Sequence, residues 1–140
     1  MNYKKKFSQV SIEYLVIIGF VSIILIAILG IAFFYSNGIK DRIKITQVNN
    51  FANKIISSSE SVYYYGEPSK TTISVYLPEG VENIEINNNE IIISTRISSG
   101  LEKTSFKSNV PLTGSISKSS GIKNIVITAE QNKTRINSSS

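Results

Sequence analysis

The sequence predicts an α+β protein: a long N-terminal hydrophobic helix, followed by a small antiparallel β-sheet head packed on the helix's C-terminal half. Three observations carry this. Leu15 to Phe34 is a run of 20 residues with Ser22 as its only clearly polar member. Beyond Tyr35, apolar residues recur at spacings of three to five as far as Val62. From Thr71 the period drops to two and stays there, with interruptions, to Glu130.

Taken in order, residues 1–8 contain Lys4, Lys5 and Lys6 and form a basic leader, of the kind the positive-inside rule holds on the cytoplasmic side. Residues 9–35 then form a helix whose apolar run, at 1.5 Å per residue, reaches about 30 Å, the hydrocarbon thickness of a bilayer. A secretory signal peptide would end its apolar region after about 7 to 15 residues, so this segment is expected to stay in the mature chain. No proline interrupts it, and Gly19 and Gly30 are ordinary in membrane helices. Glu13, an acid just inside the N-terminal edge, is what a plain anchor has no use for.

Residues 36–65 continue the helix in amphipathic form, with Ile39, Ile43, Val48, Ala52, Ile55, Ser59 and Val62 as the apolar stripe. Asn37-Gly38 is its weak point, because the pair is also a turn signal. Asp41 beside Lys44, and Lys54 beside Ser57 to Glu60, read as solvated pairs. Tyr63, Tyr64 and Tyr65 close the helix, with two of the three expected to pack it on the head in preference to an adhesive patch. Gly66-Glu67-Pro68 is the stop.

Residues 66–130 form the β-rich head. Ile73, Val75 and Leu77 share a face, Pro78-Glu79-Gly80 turns, Ile84 and Ile86 share a face, Asn87-Asn88-Asn89 turns, and Ile91, Ile93 and Ile97 follow, which predicts a meander. The strand pattern weakens from Leu101 to Phe106, Val110 to Gly114 reads as a loop, and Ile125, Ile127 and Ala129 mark a last strand. Four to six strands with one apolar face need a cover, which the amphipathic stripe supplies. Residues 131–140 form a polar tail, expected to be mobile. It carries two N-glycosylation triplets, Asn132-Lys133-Thr134 and Asn137-Ser138-Ser139.

Composition excludes much. There is no Cys and no His, hence no disulfide, thiolate or imidazole chemistry, and no Ser sits in a nucleophile-elbow context. The expectation is therefore not an enzyme, with no cofactor. Glu79, Glu82 and Glu85 alternate faces on a strand and read as a solvated edge, so no metal is expected. The net charge of +5 owes three units to the leader, which leaves 12 basic and 10 acidic residues from Gln9 onward. Those basic residues are scattered singly, so no nucleic acid is expected as a partner.

Lys4 to Lys6, the motif Gln9-Val10-Ser11-Ile12-Glu13-Tyr14 and the apolar run together resemble the class III signal peptides of type IV pilin-like proteins. The closest resemblance is to archaeal adhesion pilins whose leader ends before Gln-x-Ser-x-Glu-Tyr. The resemblance covers residues 4 to about 35, with Ser8 standing where Gly or Ala is common. It implies cleavage between Ser8 and Gln9 by a prepilin peptidase, after which Gln9 and Glu13 serve assembly. It further implies a membrane-anchored precursor, a pilus assembly ATPase and membrane platform protein, and a homo-oligomeric helical filament at the cell surface used for attachment. The alternative from the residues alone is a single-pass cell-surface binding protein that does not polymerise.

Overall fold

The computed structural model describes residues 3–139, with side chains described for 11–36 and 38–138. Helix α1 spans Tyr3–Tyr65, 63 residues, and is helical at Asn37-Gly38 as well as on either side of it. Tertiary contacts divide the chain into two units, one ending at Ile39 and the other starting at Lys40.

Over its described residues the first unit is helix alone, and its side chains from Ser11 to Ser36 are exposed. In the second unit, the remainder of α1 is followed by seven strands: β1 (Lys70–Leu77), β2 (Val81–Asn87), β3 (Glu90–Ile97), β4 (Gly100–Lys107), β5 (Leu112–Ser115), β6 (Gly121–Glu130) and β7 (Lys133–Ser139). The α+β class is as the sequence predicts: a long apolar N-terminal helix and a β-rich head.

The strands form two sheets where one was expected. One sheet has the order β1-β6-β7-β5 and the other β2-β3-β4. The meander is therefore β2-β3-β4, joined by two-residue turns at Asn88-Asn89 and Ser98-Ser99. β1 leaves it after Leu77 and pairs instead with β6, so that Ile73 lies opposite Ile125. That pairing joins residues about 50 apart in sequence, which local periodicity does not encode.

β5 occupies part of the segment read as a loop, and pairs in parallel with β7. The segment read as a mobile polar tail is a strand, β7, held between β6 and β5. Thr134 and Ile136 alternate inward there and are fully buried; a pattern of two inward residues is too short to stand out among Asn and Ser.

One core joins helix and sheets. Val48, Phe51, Ala52, Ile55, Ile56 and Val62 of α1 pack with Val75, Leu77, Ile91, Ile93, Leu112, Ile125, Ile127 and Ile136, among others. Of the expected stripe, Ile39 and Ile43 are exposed, whereas Phe51 and Ile56 join the core. The stripe turns inward only from Val48, where strands are present to receive it. Gly66 ends α1 at φ 75°, with its N–H donating to Tyr63 O at 3.0 Å, a left-handed terminus that glycine accepts without strain. Of the three tyrosines only Tyr63 packs against the core; Tyr64 and Tyr65 are exposed, so one aromatic ring and not two seats the helix end.

Candidate functional site

The largest chemical anomaly is the surface of α1 between Ile12 and Tyr35. Ile, Leu, Val, Phe and Tyr side chains cover every side of the helix, each at least two-fifths exposed. An 18-residue window here has a mean hydropathy of 3.1 and none of it is buried within the chain. By length and composition the helix can cross a membrane. Ser22 does not spoil this surface, because its hydroxyl donates to Ile18 O at 2.8 Å and so is satisfied within the helix. Glu13 is the only charged side chain from Ser11 to Ile39, and it is exposed.

Ser8 and Gln9, the residues flanking the expected cut, have helical backbone in α1, and their side chains lie outside the described residues. Gln9 and Glu13 are four residues apart on one continuous helix, a spacing that places both on one face.

The glycosylation triplets lie together at the other end of the sequence. Asn132 is exposed in the two-residue turn between β6 and β7. Asn137 is exposed within β7, opposite Val126 of β6 and Ser115 of β5. Both asparagines thus offer their amides to solvent from ordered backbone.

Polar residues that read as solvated pairs do other work. Asp41 and Lys44 do not bond to each other: the Ser98 N–H donates to Asp41 Oδ2 at 3.1 Å, and Lys44 Nζ donates to Arg96 O at 2.9 Å. Lys54 Nζ donates to Ser74 O at 3.0 Å, away from the Ser57 to Glu60 face. Glu60 accepts two bonds from Asn109. These four side chains tie α1 to the head, Lys44 and Lys54 to strand carbonyls of β3 and β1, Asp41 to the turn after β3, and Glu60 to the connection after β4. No sequence spacing announces them, since each partner is at least 20 residues away.

The acids of the turn region are engaged as well. Glu82 takes an ion pair from Arg96 Nε at 2.6 Å, and Glu85 accepts from Asn83 Nδ2 at 2.6 Å. Glu130, at the end of β6, pairs with Arg135 and lies 3.7 Å from Lys133 Nζ. The Arg135 hydrogen bond holds its carboxyl below the ordinary value of 4.5, against a smaller opposing desolvation. Clefts on the head are open; one of about 400 Å3 lies between α1 and β1, lined by hydroxyls of Ser58, Ser61 and Thr71 with Tyr65 and Lys70.

No protein-family model, curated protein or solved structure matches this chain. What the chain's own residues define is a head-bearing protein with a membrane-capable N-terminal helix.

Proposed function

We propose that this protein is the structural subunit of an extracellular type IV pilus-like filament for surface attachment. It is made as a membrane-anchored precursor, cut between Ser8 and Gln9 by a prepilin peptidase, and assembled by a dedicated ATPase and membrane platform. The observation that carries this reading is the unburied, all-round apolar surface of α1 with Glu13 at its edge. Each large apolar side chain gains about 1.5 to 3 kcal/mol on leaving water, so roughly twenty of them cannot face solvent. In lipid they are satisfied. Outside lipid their natural cover is the same helix of neighbouring copies, in a head-to-tail stack that need not close.

Glu13 separates this from a plain anchor. An acid within a membrane helix costs about 2.5 to 3.5 kcal/mol at the centre and less towards an end. After cleavage the new ammonium at Gln9, on the same helix face or on a neighbouring copy, offers that carboxylate an ion-pair partner in a poorly screened core. The exposed asparagines of the two triplets, Asn132 and Asn137, are proposed glycan sites, outward of the membrane by the charge rule.

The test is the N-terminus of cell-surface material together with its sedimentation. A filamentous pellet whose subunits begin at Gln9 is the expected result. Subunits beginning at Met1 or Asn2 and remaining with the membrane would overturn it, and favour a single-pass surface protein that binds without polymerising.

A further inference from the structure

Each glycosylation triplet pairs an exposed asparagine with a backbone locked into the head. Thr134, the hydroxyl residue of the first triplet, is fully buried. Its Oγ1 donates to Ser59 O of α1 at 3.3 Å, and its backbone N–H donates to Pro111 O at 2.8 Å. An enzyme that glycosylates Asn-x-Thr must hold the asparagine amide and the threonine hydroxyl in its own cleft at once. With β7 in place, Asn132 can be offered and Thr134 cannot. Asn137 is no easier to present, since its backbone lies between two strand neighbours.

Resting on the glycoprotein reading above, we propose that sugar transfer to Asn132 precedes the docking of β7, and that the folded head is not a substrate. The donor class is a lipid-linked oligosaccharide. Asn132 Nδ2 attacks the sugar C1, the C1–O bond to phosphate breaks with its electron pair leaving on the lipid phosphate, and one amide proton passes to a base of the transferase. The product suits the fold even though the reaction does not, because Asn132 ends in an exposed turn where an attached glycan displaces no core residue.

The interval for transfer is set by the order of the chain. Ser59, Pro111, Ser115 and Ala129, against which β7 settles, all precede it, so docking can begin as soon as the triplet is available. Once docked, exposing Thr134 means withdrawing Ile136 from the core, an opening that core strands populate at about 10⁻³ or less.

The experiment compares three full-length acceptors given a membrane-bound oligosaccharyltransferase and its lipid-linked donor, with occupancy at Asn132 read by peptide mass. One is native protein in detergent, the second is the same protein diluted from urea into the reaction, and the third is Gly114→Val. A Cβ at Gly114 would lie 1.9 Å from Ile136 O, so that variant keeps both triplets but cannot seat β7 against β5. Initial occupancy about tenfold or more higher for the second and third than for the first is expected. Equal occupancy of native protein overturns the order proposed while leaving glycosylation standing. No transfer to any of the three overturns the glycoprotein reading itself.

Discussion

Glu60 on α1 accepts two hydrogen bonds at the same carboxylate oxygen from Asn109, one from the backbone N–H at 2.9 Å and one from the side-chain amide at 3.0 Å. Asn109 sits in the connection from β4 to β5, where the chain returns from the three-stranded sheet to the four-stranded one. The pair therefore anchors the crossing point to the helix.

Glu60→Ala should lower the stability of the head by about 1 kcal/mol, the usual worth of such bonds at a partly exposed position. Glu60→Gln retains an acceptor oxygen and should lose less. Urea unfolding of the detergent-solubilised chain, followed by near-ultraviolet dichroism of the tyrosines, checks both; an unchanged midpoint in Glu60→Ala would remove the anchor's role.

Gly114→Ala should cost about 3 kcal/mol or more. Its φ of 126° lies in the region L-residues rarely adopt, and its Cβ would overlap the Ile136 backbone. Amide exchange should then rise along β5 and β7 before it rises along β3, and uniform protection would contradict the assignment.

Ser59→Ala should be neutral or stabilising by up to about 1 kcal/mol, unlike most core truncations. The Ser59 hydroxyl is fully buried with no hydrogen-bond partner among the described residues, so its removal relieves a desolvation cost. The Ser59 carbonyl that Thr134 uses belongs to the backbone and survives the change. A loss beyond 1 kcal/mol in the same unfolding assay would show that the hydroxyl is satisfied.

Glu130 supplies a pH dependence whose sign follows from its lowered pKa. The stabilisation from Arg135 is present above the ordinary value of 4.5 and is lost as pH falls through the lower folded value. Wild type should therefore lose more thermal stability than Glu130→Gln on acidification, and the two should converge once the carboxyl is protonated. Parallel curves over that range would exclude the pair.

Glu13→Ala should insert and be cut as wild type yet enter filaments poorly, because removing one partner of a buried ion pair costs about 3 to 5 kcal/mol. For a plain anchor the same change only makes the helix more apolar. Filament yield from cells carrying the variant decides, and an undiminished yield would end the assembly role.

The helix and its apolar run were legible because 20 consecutive residues obey one rule, and Ile73 to Leu77 and Ile125 to Ala129 because alternation persists through each. What did not show was decided by distant partners. β1 reads like the first strand of a meander, and only the presence of β6 takes it elsewhere. β7 reads as a tail because its inward residues are few and one of them is threonine, whose burial depends on a carbonyl of α1 75 positions earlier. Lys44 and Lys54 look solvated for the same reason: a carbonyl that will accept from lysine leaves no trace in the local pattern. For the candidate site, Glu13 was conspicuous as an acid among apolar neighbours, while the confinement of Thr134 needed the folded backbone.

The core of the head draws its helical members from Val48 onward and takes none from Ser11 to Ser36. Selection can therefore act on the two stretches under separate rules. A change among the strands is judged by whether the head still folds, and a change between Ile12 and Tyr35 by what that surface meets outside its own chain.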